Sequence, residues 1–575
     1  MTLRIQRRVV AAAGGWGEDL HPVLRRVYAS RGIGQAEQLQ LNLQRLLPVG
    51  TLAGTAAAAQ LLLRYRDGGR PVLIVGDFDA DGATSTALMV LALRRWGFPA
   101  VDFLVPNRFE FGYGLTPEIV ALAAGRSPGL IVTVDNGISS HAGVDAAREH
   151  GIDVLITDHH LPGATLPAAA VIVNPNLPDS GFGSRALAGV GVAFYVLAAL
   201  GRLLEERGLV PGDAPPLVQL LDLVALGTVA DVVPLDDNNR ILVAQGLARI
   251  RAGRCRPGIR ALLAVAKRQL PGLTASDLGF AVAPRLNAAG RLTDMSIGIR
   301  CLLAEDEEEA RALAQELDEL NVQRRQIEAR MQAQALAAVN VLKNPFSQQQ
   351  RSGVCLFDEA WHQGVVGLVA SRIKERLRRP VIAFAAVDEA TLRGSARSVA
   401  GVHIRDVLDA LAARDPELIQ KFGGHAMAAG LTLPRARLDD FARAFDAEVA
   451  CWLARSGSPD VVETDGELAR EDLALATAQA LRAGGPWGAG FPEPLFDGEF
   501  RVRTARLVGE RHLKLALAAP EGRGEFDAIA FNFVDPGDRG TPLPQGAARL
   551  VYRLDVNEYQ GEQRLQFIIE HVLPV

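Results

Sequence analysis

Residues Val72–Gly82, VLIVGDFDADG, constrain the fold more than any other stretch. Val72, Leu73, Ile74 and Val75 present no polar face, which predicts a strand covered on both sides. Asp77, Asp79 and Asp81 follow, flanked by Gly76 and Gly82, which permit sharp turns. Ala83–Trp96 then has helical character. Strand, acidic loop and helix in succession mark the place where parallel α/β sheets carry their sites. Carboxylates this close repel one another unless a cation lies between them. Oxygen donors suit a divalent ion.

Other short apolar runs repeat the pattern. Leu130–Val134, Val154–Thr157 and Ala170–Val173 read as strands, and helical segments separate most of them between residue 51 and about 235. The expected fold class is α/β, with a parallel sheet covered by helices. Asp135-Asn136-Gly137 follows the second strand and Asp158-His159-His160 the third. Ends of parallel strands lie side by side, so these loops should converge on the first. Asp77, Asp79, Asp81, Asp135, Asp158, His159 and His160 would then share one site. Each Asp alone could be a helix cap or turn former. As a set they suit Mn²⁺, or Mg²⁺ with less use of His. So many carboxylates favour two ions, the usual arrangement for phosphodiester hydrolysis.

Composition excludes some classes. No run of about 18 apolar residues occurs, so no membrane span is expected. MTLRIQRRVV lacks the apolar core of a signal peptide. The cysteines at 255, 301, 355 and 451 form no CxxC pair, which favours a reducing cytoplasm. A net charge of −5 means that nucleic acid must meet a local basic surface.

Residues 1–50 read as an N-terminal helical cap. Glu305–Leu342 contains no Pro or Gly and places Leu313, Leu317, Leu320, Ile327 and Met331 on one stripe, predicting a long helix. NPFSQQQRS (344–352) breaks it. A second, smaller α/β domain is expected over 353–455, where Trp361–Ala400 carries seven Lys/Arg against three acids. From 456 to 575 the runs Leu495–Leu507, Leu513–Leu517, Ala528–Phe533, Ala548–Asn557 and Arg564–His571 suggest an antiparallel barrel of about five strands, as in an OB-fold. Arg501, Arg503, Arg506, Arg511 and Lys514 could line its groove.

GDFDADG, DNG and DHH in this order resemble the DHH phosphoesterase family. PNRFEFGYGL (106–115), GTVADVVPL (227–235), APRLNAAGRL (283–292), WHQGVVGLVASRI (361–373) and KFGGHAMAAG (421–430) resemble, within it, the RecJ single-strand-specific DNA exonucleases. The resemblance runs from about residue 50 to the end. It implies a DHH catalytic domain (51–303), a connecting long helix (304–343), a nucleic-acid-clamping DHHA1 domain (353–455) and an OB-fold (456–575).

The resemblance also implies an activity: hydrolysis of single-stranded DNA 5′ to 3′ to mononucleotides, with two Mn²⁺ or Mg²⁺ ions, in recombination and repair. Asp79, Asp81, Asp135, His159 and Asp231 would be the metal ligands, with Asp135 bridging. Asp77 and His160 would act beside them, and the two histidines could exchange roles. From its own surroundings Asp231 reads only as a helix-end residue, with Asp222 the competing acid. Asn107 and Arg108 would lie beside the metals, with Arg108 meeting phosphate and Tyr113 a base. Arg285, Asn287 and Arg291 sit among small residues that would let a strand approach. Ser371, Arg372, Ser395 and Arg397 belong to the basic stretch. Gly424 and His425 would offer an anion site before a helix. Expected partners are single-stranded DNA, a RecQ-type helicase and a single-strand-binding protein, acting on a cytoplasmic monomer. The alternatives are a phosphodiesterase for short oligonucleotides and a non-catalytic binding scaffold.

Overall fold

The computed structural model describes residues 3–10, 16, 20–107, 110–111, 113–342, 351–456, 461–509, 511–519, 524–534, 542–559 and 561–574. Two compact units account for the chain, one comprising Ile5–Asp318 with Glu463–Val575, the other Met1–Arg4 with Glu319–Val462.

The larger unit is built on an all-parallel sheet. Its strands lie in the order Val101–Leu104, Val72–Gly76, Leu130–Val134, Asp153–Thr157, Val171–Val173. The central three are buried almost throughout, as their unbroken apolar runs require. After Val72–Gly76 the chain moves to one side to form Val101–Leu104, then returns to the other side for Leu130–Val134. The carboxyl ends of Val72–Gly76 and Leu130–Val134 therefore frame the topological switch point, the usual ligand crevice of such sheets. Asp77 and Asp135 immediately follow those ends. The edge strand Val101–Leu104 was not expected. It is short, and Asp102 interrupts its apolar run.

Helices Ala80–Arg95, Gly189–Glu206 and Leu221–Ala230 pack together, and their facing residues are almost all buried. Among the described residues of the first 51 are a strand, Arg4–Arg7, one helix, Pro22–Ala29, and three 3₁₀ turns. Strands Phe496–Val508, His512–Ala518, Phe526–Ala530, Gly546–Tyr559 and Glu562–Pro574 close into a barrel, which leaves no free edge.

The long helix spans Glu307–Leu342. Its buried stripe runs through Ala310, Ala314, Leu317 and Asn321 to Glu328, Met331, Ala335 and Val339, so Leu313, Leu320 and Ile327 flank the stripe and do not centre it. In the smaller unit a five-stranded mixed sheet has the order Lys421–Gly424, Ala428–Pro434, Thr391–Arg397, Val381–Ala386, Val354–Phe357. Helices Ile404–Arg414 and Leu438–Ser456 contribute Val407, Leu411, Phe441 and Phe445 to its core.

Candidate metal centre

The acidic loop is pinned by its own carboxylates. Helix Ala80–Arg95 starts three residues earlier than expected because Asp79 caps it, its Oδ1 accepting the Asp81 and Gly82 amides at 3.0 Å each. One Asp79 oxygen is committed to the helix and the other remains for a ligand. Asp77 Oδ1 accepts the Phe78 amide at 2.8 Å. Asp81 is 1% exposed and sits at the start of helix Gly189–Glu206. Its Oδ2 accepts the Gly189 amide at 2.6 Å and its Oδ1 the Val190 amide at 2.9 Å, which satisfies two orphan donors of that helix.

Asp135 has φ 61°, a left-handed conformation that Asp tolerates better than most residues. Asn136, also buried, donates to Val75 O at 3.1 Å and Val134 O at 2.9 Å, tying together the two strand ends of the switch point. Asp158 is a brace. Its Oδ1 accepts the His159 amide (2.7 Å), the His160 amide (3.1 Å) and His160 Nδ1 (2.7 Å), and its Oδ2 accepts the Ile138 amide (2.9 Å). Asn174 and Asn176 donate to the carbonyls of His160 and His159. Neither asparagine was singled out by sequence reading, although Asn174-Pro175-Asn176 follows a strand as DNG and DHH do.

Three ligand sets result, each with donor atoms within 4.8 Å of one another: Asp77, Asp79 and Asp135; Asp81, His159 and Asp231; Asp135, His159 and His160. His159 Nε2 lies 3.1 Å from Asp135 Oδ1 and 3.4 Å from Asp231 Oδ2. Yet among the described residues these two carboxylate oxygens are buried and accept no hydrogen bond. Burial, reinforced by Asp79, pushes the Asp81 carboxyl up to about 7. Burial, then the charges of Asp81 and Asp79, raises Asp135 and Asp231 well above the carboxylate range. Buried, mutually repelling carboxylates with unmet lone pairs and an imidazole are what hard divalent cations satisfy. The donor set fits Mn²⁺ or Mg²⁺.

Asp231 is the C-cap of helix Leu221–Ala230. Asp222, the competing acid, accepts the Leu223 amide at 2.9 Å and the Arg256 amide at 2.8 Å, a structural role. Tyr113 joins the centre, its hydroxyl donating to Asp135 O at 3.2 Å and lying 3.3 Å from His160 Nδ1. Asn107 Nδ2 donates to Glu110 at 3.2 Å. Arg108 lies outside the described residues.

Arg285, Asn287 and Arg291 lie on helix Ala283–Leu292. Asn287 Oδ1 accepts the Ala80 amide at 2.8 Å and so holds the start of the acid-bearing helix. A Cβ on Gly290 would stand 1.8 Å from Phe78 O. Gly290 thus makes room for the acidic loop. Arg285 pairs with Asp318 at 2.7 Å and donates to Ala281 O at 2.5 Å.

In the smaller unit Ser371 and Arg372 lie on helix Val366–Leu377, where Arg372 meets Glu328 at 3.2 Å. Arg397 donates to Ser395 Oγ at 3.1 Å, and both sit beneath Gly367. Gly424 and His425 do not precede a helix. Gly424 ends the first strand of a tight hairpin, and the His425 amide donates to Ala428 O at 2.8 Å.

Residues 71–228 match the DHH family, N-terminal domain; 350–450 match the DHHA1 domain; 464–571 match the RecJ OB domain. The chain is 55% identical over 568 residues to the single-stranded-DNA-specific exonuclease RecJ of Dickeya dadantii, covering 97% of each. This chain belongs to the RecJ family. The Escherichia coli RecJ is 52% identical over 580 residues, covering 100% of this chain and 99% of its own. Among solved structures, RecJ of Thermus thermophilus in complex with Mn²⁺ superposes with a TM-score of 0.77 at 33% identity, covering 97% of this chain and 76% of that one. The same RecJ in complex with Mg²⁺ gives 0.73 at 31% identity, covering 97% and 75%.

Proposed function

We propose that this chain is a single-stranded-DNA-specific exonuclease that hydrolyses phosphodiester bonds from the 5′ end and releases mononucleotides. The carrying observation is the pair of ligand sets that meet where His159 Nε2 and Asp135 Oδ1 stand 3.1 Å apart. When bound, two Mn²⁺ or Mg²⁺ ions would supply an activated water and offset charge on the phosphoryl group. Asp77, Asp79 and Asp135 would hold one ion and Asp81, His159 and Asp231 the other, with Asp135 between them.

Asp158 keeps His160 in one orientation by engaging Nδ1. Burial lowers the affinity of His160 for its proton, but the hydrogen bond and charge of Asp158 outweigh it and raise the imidazole above its ordinary value. A protonated His160 can donate to a phosphate oxygen. Tyr113, about half exposed, offers a ring for a base while its hydroxyl is anchored on Asp135 O. The barrel arginines Arg501, Arg503 and Arg506 would follow the strand's phosphates, and Ser395, Arg397 and His425 would clamp it.

Among the described residues no single helix is long and apolar enough to cross a membrane. The reading extends to a cytoplasmic monomer serving recombination and repair beside a RecQ-type helicase and a single-strand-binding protein. The test is degradation of end-labelled single-stranded and duplex DNA with Mn²⁺ or Mg²⁺. Wild type should shorten the single strand from its 5′ end, and Asp135→Ala should not. No cleavage by wild type, or equal cleavage by the variant, would sink it.

A further inference from the structure

Phe280 is 85% exposed, although Leu278 and Val282 on either side of it are fully buried and Ala281 nearly so. It projects from a π-helical turn, Leu278–Val282, that leads into helix Ala283–Leu292. Such turns are rare and concentrate at functional sites. The turn is held firmly. Gly279 packs on Val229, whose Cγ1 would lie 3.2 Å from an added Cβ, and Arg285 donates to Ala281 O while paired with Asp318. Val229 stands two residues before the metal-ligand candidate Asp231. Directly after Asp231, Val232 is 69% exposed with φ 60°. For a β-branched residue this backbone conformation is strained. Two apolar side chains are thus presented to solvent on rigid backbone at the Asp231 end of the metal centre.

We infer that Phe280 is a stacking platform for one nucleobase of the single strand, a positioning element of the cleavage reaction. The inference rests on the nuclease reading above. A phosphate held between the two ligand sets must turn its sugar and base away from the charged centre, and the Asp231 end offers a rigid apolar wall. A phenyl ring accepts the π-face of any base and carries no group that distinguishes one base from another. A contact of that kind serves a strand of any base sequence. The anionic backbone of the same nucleotides suits the cations of the centre.

The test compares kcat/KM of wild type, Phe280→Ala and Phe280→Trp on one single strand and on a series in which each base near the degraded end is removed in turn. Wild-type degradation of the intact strand establishes the nuclease reading independently; its absence overturns both. Given that activity, Phe280→Ala should lower kcat/KM by about ten-fold, mainly through KM, and Phe280→Trp should restore it. At one abasic position wild type should drop to the level of Phe280→Ala, and the variant should lose nothing further. Melting temperature should stay unchanged, since the ring is exposed. A Phe280→Ala enzyme equal to wild type on every strand, or one with the same loss at every abasic position, overturns the platform and leaves the nuclease reading intact.

Discussion

Gly189 and Asp135 approach so closely that a methyl group on the glycine would lie 2.6 Å from the aspartate Cβ. Gly189 also donates its amide to Asp81. One glycine therefore sets the distance between two acids of different ligand sets. Gly189→Ala should cost about 1–3 kcal/mol through overpacking. Its loss of activity should exceed what that destabilisation explains, because Asp135 must shift. Urea unfolding and Mn²⁺ titration of the same preparation check both parts.

The metal-free protein should become less stable as pH rises. Burial and Asp79 push Asp81 up to about 7 from an ordinary 3.8. Between those values the folded state binds more protons than the unfolded one, so stability declines from about pH 4 to about pH 7. Saturating Mn²⁺ should flatten this slope. Thermal melts across that range with chelator and with metal are the measurement, and parallel curves would refute the prediction.

A second carboxylate works in the opposite sense. Asp497 is buried, which alone would raise it, but hydrogen bonds from Arg7, Arg549 and Thr464 hold it down at about 2. Its stabilisation is present above about pH 4 and is lost as pH falls toward 2. Asp497→Asn should cost about 2 kcal/mol at neutral pH and much less near pH 2. Denaturant unfolding at the two pH values decides it.

Asn287→Ala should impair catalysis without touching substrate. The Ala80 amide would lose its acceptor at the start of the acid-bearing helix, at about 1–3 kcal/mol. Steady-state kinetics should show kcat falling with KM little changed.

Arg285 is committed to Asp318 and to Ala281 O. Arg285→Ala and Asp318→Ala should therefore have similar effects on activity, and the double variant should add little. If Arg285 met phosphate instead, its loss would be far the larger. A double-mutant cycle on kcat/KM separates the two.

Much of the site was legible because chemistry and chain order coincide. Three acidic motifs each follow an apolar strand, and parallel topology brings strand ends together without further information. Residues whose roles depend on what packs against them were not legible. Small residues in APRLNAAGRL looked like room for DNA, but Gly290 makes room for Phe78 O. Gly424 looked like a helix start, yet the chain spends those glycines on a hairpin with Ala428–Pro434. Asp79 could not be read as a cap from its spacing alone, since the same spacing serves a metal. Arg285 had no visible partner because Asp318 is distant in sequence and enters on another helix.

Asp135 stands at φ 61°, where only Gly, Asn and Asp rest without appreciable strain. Asp→Asn and Asp→Gly are each single-base changes in the codon. The substitutions most compatible with the backbone at this position are thus among those that a single base change reaches, and each would erase the carboxylate while sparing the architecture. A lineage can therefore abandon the chemistry of this fold in one step and keep the fold, which makes the acid at this position a sensitive marker for separating working enzymes from their inert descendants.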